Sequence, residues 1–104
     1  MSTVLVYVTA GSREEAVKIA RGLVESRLVA CANVLDGATS LYWWEGAVQE
    51  EREAVLIAKT AAEKVEAVIA RVKELHSYTC PCVVAVPIKA GNPGFLQWIE
   101  AETR

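Results

Sequence analysis

The segment "HSYTCPC", residues 76–82, contains the chain's single histidine and two of its three cysteines. His76, Cys80 and Cys82 are all able to donate to a soft or borderline metal ion. Three interpretations of the segment are open: a metal site, a redox pair, or the start of a strand that uses cysteine as a small apolar residue. The choice depends on how the surrounding elements position these side chains.

The two cysteines flank Pro81, which biases the residue before it toward extended backbone. In an extended chain Cys80 and Cys82 project to the same side, with their α-carbons roughly 6.5 Å apart. That separation is at the outer limit for a disulfide, so an intramolecular bond would be strained. Two thiolates on one side suit a soft ion such as Cu(I), Zn(II) or Hg(II). The alternative is a packing role, since free cysteine is among the most buried residue types.

The histidine is expected at the end of a helix. His76 is there either a hydrogen-bond anchor for the loop near Tyr78 or a metal ligand through its neutral imidazole. Cys31, flanked by alanines, is expected to be an inert core thiol. Lys59 and Glu50 are candidate contacts to a ligand in a cleft between subunits, although Lys59 also fits a strand end that reaches solvent.

Composition excludes several classes of function. The chain has 104 residues, 53% hydrophobic content and a formal net charge of −2, which leaves no electrostatic footprint for nucleic acid or an anionic membrane. Apolar runs stay below the roughly 18 residues of a membrane span, and the opening stretch lacks a basic leader. We therefore expect a cytoplasmic protein with reduced thiols. Catalytic signatures such as GxSxG, a P-loop or HExxH are missing, so no enzyme activity is expected.

Hydrophobic periodicity predicts the order strand, helix, strand, strand, helix, strand. The predicted strands are 3–10, 29–44, 47–60 and 82–88, the first helix runs from Ser12 to about Arg27, and the second ends at Leu75. Capping boxes are predicted at Ser12 with Glu15 and at Thr60 with Glu63. Asn92 followed by Pro93 opens a short third helix.

This order is the split βαβ pattern of the ferredoxin-like sandwich. We predict an α+β fold with a four-stranded antiparallel sheet, two helices on one face and a short C-terminal helix. Residues 1–104 are expected to form a single domain.

Helices on one face leave the other face of the sheet bare. "AVLIA" and "CVVAVPI" are apolar on both faces, where a half-solvated strand should alternate. Trp43 and Trp44 are adjacent, so in a strand they point to opposite faces. A terminal helix of about seven residues spans only about 10 Å and is too short to cover the sheet. We therefore expect an oligomer with Tyr42, Trp43 and Trp44 at the subunit interface.

Four segments resemble the CutA divalent-cation tolerance family in order and spacing: "ACANVLDGATSLYWWEGAVQEE", "AKT", "ELHSYTCPCVVAVPI" and "GNPGFLQWI". The resemblance implies a ferredoxin-like subunit in a tight homotrimer whose sheets face inward. It also implies an architecture like that of the trimeric PII-type regulators, which bind small molecules in clefts between subunits. The family is linked to tolerance of copper and other divalent metals.

The chain departs from the family pattern where metal chemistry is expected. Members with a proposed copper site can carry a second histidine and a cysteine at positions that are here Leu75 and Val8. His76 alone remains from that set. Family members commonly have an acidic residue after the proline, where this chain has Cys82. The departure suggests a different site, and the predicted metal ligands are His76, Cys80 and Cys82.

Two functions are therefore expected as alternatives. The first is a trimeric protein of divalent metal (copper) tolerance that binds metal ions and requires no cofactor. The second is a PII-like regulatory trimer that binds a small anionic ligand or a partner protein in its intersubunit clefts.

Overall fold

An antiparallel sheet lies at the centre of residues 2–104, the part of the chain that the computed structural model describes. Its four strands and three α-helices follow the order β1 (Thr3–Ala10), α1 (Arg13–Glu25), β2 (Cys31–Trp44), β3 (Ala47–Ala61), α2 (Val65–Leu75), β4 (Val83–Pro87) and α3 (Pro93–Glu102). A single 3₁₀ turn, Ala62–Lys64, leads into α2. The predicted ferredoxin-like α+β fold is confirmed.

Within the sheet the strand order is β2-β3-β1-β4, so β1 is central and β4 forms one edge. Val6 lies opposite Ala58 of β3 on one side and Ala85 of β4 on the other. Along β1 the side chains alternate, with Val4, Val6 and Val8 buried. This alternation gives the sheet one face toward the helices and one face away from them.

The core lies between the sheet and the two long helices. Ile19 and Leu23 of α1 and Val68 and Val72 of α2 repeat at helical spacing and are almost fully buried. Burying a side chain of this size contributes about 1.5–3 kcal/mol. One apolar face of each helix therefore holds the layers together. Between residues 2 and 104, every helix is too short or too polar to cross a membrane.

The other face of the sheet remains open to solvent in the single chain. Tyr7, Val84 and Val86 are 39%, 51% and 54% exposed. Helix α3 has ten residues, more than the seven expected, and spans about 15 Å. It buries Ile99 but leaves these three side chains exposed. The expectation that this helix is too short to cover the sheet is therefore confirmed at Tyr7, Val84 and Val86.

The distal half of the β2–β3 hairpin extends beyond the sheet. Residues 38–53 pair only across the hairpin, because β1 meets β3 from Ala54 onward. Glu45 and Gly46 form the tip with positive φ angles of 52° and 78°, as a two-residue hairpin turn between strands 29–44 and 47–60 requires. A two-stranded ribbon is at best marginally stable alone in water. This arm therefore needs a further surface to pack against.

One predicted helix start was wrong. The proposed capping box at Thr60 and Glu63 does not form, because β3 continues to Ala61. The Thr60 hydroxyl is fully buried and donates to the Leu28 carbonyl at 2.7 Å. A buried hydroxyl needs a partner, and its place in the strand puts that partner across the sheet rather than in the next helix.

Candidate functional site

A cavity of about 660 Å³ lies where the loop after α2 meets the β2–β3 arm. Its lining combines aromatic rings, two thiols and two carboxylates, from Tyr42, Trp44, Tyr78, Cys80, Cys82, Glu51 and Glu53. Its size falls in the range of small-molecule sites.

His76 anchors the loop that leads to the cysteines. Its side chain is fully buried, the Tyr78 amide donates to Nδ1 at 3.0 Å, and Nε2 lies 2.7 Å from the Thr9 carbonyl oxygen. An amide can only donate, so Nδ1 accepts, and Nε2 carries the hydrogen that it donates to Thr9. The arrangement is that of the hydrogen-bond anchor. A metal could bind His76 only by displacing one of these partners.

Glu15 ties the same loop to the start of α1. One carboxylate oxygen accepts from the Gly11 amide at 3.2 Å, and the other accepts from the Ser77 amide at 2.7 Å. The second oxygen also lies 3.8 Å from Nδ1 of His76. Burial acts to raise the pKa of Glu15, but the bonds from Ser77 and Gly11 lower it overall. Of the predicted capping box, only the bond from the Glu15 amide to the Ser12 hydroxyl forms.

Two tyrosine–carboxylate pairs border the cavity. The Tyr78 hydroxyl donates to Glu53 at 2.8 Å, and the Tyr42 hydroxyl bonds to Glu51. Burial, followed by the bond to Glu53, raises the pKa of Tyr78. The bond to Glu51 raises the pKa of Tyr42. Both phenols therefore remain protonated donors near neutral pH.

The thiols Cys80 and Cys82 are free, exposed and part of the same cavity lining. The alternative packing role would require buried thiols, and in the single chain neither Cys80 nor Cys82 is buried. Partial burial raises the pKa of the Cys82 thiol, and the negative charge of Glu53 adds to the effect. Cys31 is half-buried on β2, so it is less enclosed than the core thiol that the sequence predicts.

The structure unites only part of the predicted metal set. Cys80 and Cys82 share one cavity, whereas His76 does not belong to its lining. Among residues 2–104, no group of three or more histidine, cysteine, aspartate or glutamate side chains is arranged to hold a metal ion. The two thiols are therefore the candidate donors within one chain.

Lys59 and Glu50 lie far apart in a single chain. They are nine positions apart on the same strand, or roughly 30 Å. The Lys59 ammonium is 5.9 Å from the centroid of the Phe95 ring, while Glu50 lies on the arm opposite Leu41. A cleft that uses both would need a second subunit.

The sequence reasoning missed Glu15 and Glu53 as supports of this site. Glu15 was expected to cap its own helix, but its carboxylate reaches a loop 62 residues away. Glu53 sits in a strand with a charged run before it and is only 9% exposed. Its partner Tyr78 is 25 positions away, so local spacing carried no signal for the pair.

Comparison with known proteins identifies the family. Residues 4–102 match the model of the CutA1 divalent ion tolerance protein family. The divalent-cation tolerance protein CutA of Archaeoglobus fulgidus is 45% identical over 95 residues, covering 91% of this chain and 92% of the relative. That of Thermus thermophilus is 44% identical over 99 residues, covering 95% and 96%.

Solved structures agree with this match. The divalent cation tolerance protein from Thermus thermophilus superposes with a TM-score of 0.96 at 43% identity, over 98% of this chain and 99% of that one. CutA1 from Oryza sativa gives a TM-score of 0.97 at 39% identity, over 100% and 95%. The chloroplastic rice relative is longer, and this chain spans 58% of it. The chain belongs to the CutA1 divalent ion tolerance protein family.

Proposed function

We propose that this protein is a homotrimer that binds metal ions, copper among them, and that Cys80 and Cys82 are the donors. The observation that carries the proposal is that both thiols are free, exposed and part of one cavity lining. The relatives from Archaeoglobus fulgidus and Thermus thermophilus are named for divalent-cation tolerance. The function rests on binding rather than on catalysis, requires no cofactor and uses residues 1–104 as one domain.

The anchors at the start of the loop support a pre-organised thiol pair. The Ser77 amide donates to Glu15 and the Tyr78 amide donates to His76, while the imidazole itself donates to the Thr9 carbonyl on β1. A binding site gains affinity when its supports are ordered before the ligand arrives. In this proposal His76, which the sequence also suggested as a ligand, positions the loop.

The charge of the cavity favours a cation over the anionic ligand of the alternative hypothesis. Its lining includes Glu51 and Glu53, and among the described residues it contains neither lysine nor arginine. An anion would meet like charge there. The PII-like alternative therefore depends on basic groups that a neighbouring subunit would have to bring.

The open sheet face and the arm support a trimer. Tyr7, Val84 and Val86 present a bare apolar surface, and Trp43 is 75% exposed near the tip of the arm. Contiguous apolar surface of this kind marks an interaction site. Three copies with their sheets facing inward would cover the face and give each arm a surface to pack against.

We place the protein in the cytoplasm, where reduced thiols stay available for a metal. Family members are not confined to one compartment by name, since the rice relative is called chloroplastic and the Archaeoglobus fulgidus structure periplasmic.

Native mass spectrometry of the reduced protein, titrated with copper and zinc salts, tests the function. We expect stoichiometric metal uptake that disappears in a Cys80→Ser, Cys82→Ser variant and persists in a Cys31→Ser control. The same spectra report the number of chains in the complex. If the parent protein takes up neither metal, the metal proposal is wrong, and a monomer would contradict the assembly.

A further inference from the structure

The number of available donors limits which metal the thiol pair can hold. Cys80 and Cys82 are two sulfur ligands, and residues 2–104 offer no cluster of three or more donor side chains. Zn(II) in structural sites is almost always four-coordinate, and Cu(II) takes tetragonal sites with nitrogen and oxygen ligands. Two cysteines alone leave Zn(II) or Cu(II) short of the protein ligands that its usual coordination geometry needs.

The nearby groups that could add a third ligand are already engaged. Tyr78 donates to Glu53, which is 9% exposed, and Tyr42 bonds to Glu51. Both nitrogens of His76 take part in hydrogen bonds. Recruiting His76 would break an existing bond and leave its partner unsatisfied. Glu51 and Glu53 could offer only carboxylate oxygens, which suit hard ions rather than a soft cation.

The backbone around the pair suits a two-ligand site. Cys80 to Cys82 precede β4, which begins at Val83, so the segment can adjust without breaking the ladder to β1. Because only Pro81 separates Cys80 from Cys82, their α-carbons lie at most roughly 7 Å apart. Two collinear metal–sulfur bonds of about 2.3 Å span roughly 4.6 Å, which side chains rooted at that spacing can reach.

We propose that the Cys80–Cys82 pair selects a monovalent, two-coordinate soft cation, Cu(I) in the first place, over Zn(II) and Cu(II). Soft thiolate ligands favour Cu(I), and a linear geometry needs only the two donors that the cavity supplies. This selectivity rests on the proposed metal-binding function. It makes the bound ion a monovalent cation, which differs from the divalent ions in the family's name.

The test is a competition titration of the reduced protein without oxygen. Cu(I) is supplied as its bathocuproine disulfonate complex, and Zn(II) is titrated against a chromophoric chelator. We expect one Cu(I) per chain, bound on the order of 1,000-fold more tightly than Zn(II). Each single variant, Cys80→Ser or Cys82→Ser, should weaken Cu(I) binding on the order of 100-fold, while Cys31→Ser should match the parent.

X-ray absorption of the Cu(I) complex separates two-ligand from three-ligand binding. We expect two sulfur neighbours and no oxygen or nitrogen ligand. A third ligand, or equal affinity for Zn(II), would overturn the selectivity while the metal-binding function stands. No uptake of either metal would overturn both.

Discussion

Replacing His76 with asparagine or glutamine should remove one of its two hydrogen bonds at a time. The asparagine amide oxygen lies near the position of Nδ1, so His76→Asn can still accept from the Tyr78 amide but loses the bond to Thr9. The glutamine amide nitrogen lies near the position of Nε2, so His76→Gln can still donate to the Thr9 carbonyl but loses the bond from Tyr78. In the parent protein the bond from Tyr78 is 3.0 Å long and the bond to Thr9 is 2.7 Å long.

The expected cost follows from these contacts. A lost hydrogen bond removes about 0.5–1.5 kcal/mol, and a buried backbone group left without a partner costs about 1–3 kcal/mol. Because the His76 side chain is fully buried, water cannot readily replace a hydrogen-bond partner that a substitution removes. Each variant should therefore lose about 1–3 kcal/mol of unfolding free energy. His76→Leu, which removes both bonds, should lose more than either.

Denaturant unfolding at one fixed protein concentration measures these differences, and far-UV circular dichroism checks that each variant folds. Since the chain has one histidine, long-range nitrogen–proton NMR reads its tautomer without assignment, and the hydrogen should be on Nε2. Equal stability of His76→Leu and the parent, or a hydrogen on Nδ1, would refute the anchor. A lowered metal affinity with unchanged stability would restore His76 as a ligand.

Other substitutions probe separate contacts. Thr60→Val should cost about 1–2 kcal/mol because the Leu28 carbonyl loses its donor, and Thr39→Val on the exposed arm is the matched control by the same unfolding assay. The pKa of Glu15 is lowered in the folded protein. Its contribution to the free energy of unfolding is therefore complete above the unfolded pKa of about 4.3 and is lost as pH falls through the folded pKa. Glu15→Gln should reduce the fall in unfolding free energy at acid pH, and an unchanged fall would contradict this. Trp43→Ala should weaken the proposed trimer on the order of 3–5 kcal/mol per buried side chain, seen by sedimentation at micromolar concentration as dissociation with intact secondary structure. An assembly unaffected by the substitution would place Trp43 outside the proposed interface.

Local signals predicted most of the fold because they depend on nearby residues. The positive φ angles at Glu45 and Gly46 and the cap at Asn92 are each decided within a few positions. The Thr60 cap failed because a contact across the sheet competed with the local one. The spacing of a capping motif cannot reveal that its hydroxyl is needed 32 residues away.

From the sequence, only the residue types of the candidate metal ligands could be predicted, and not how each side chain is bonded in the folded chain. Spacing indicated that Cys80 and Cys82 would project to the same side, and both line one cavity, but spacing carried no information on their exposure. The role of His76 depends on Thr9, 67 positions earlier. Nothing in the segment "HSYTCPC" distinguishes an imidazole with a free nitrogen from one whose nitrogens are both occupied.

The central position of β1 also sets the order in which a growing chain can complete its sheet. The first strand to be synthesised pairs with β3 and β4 and not with its neighbour in sequence, β2. Val8 meets Val83 only after 75 further residues have been made. Until then one edge of β1 exposes unpaired backbone groups, which readily accept a strand from another chain. A nascent chain that stalls before β4 is therefore expected to aggregate through this unpaired edge of β1.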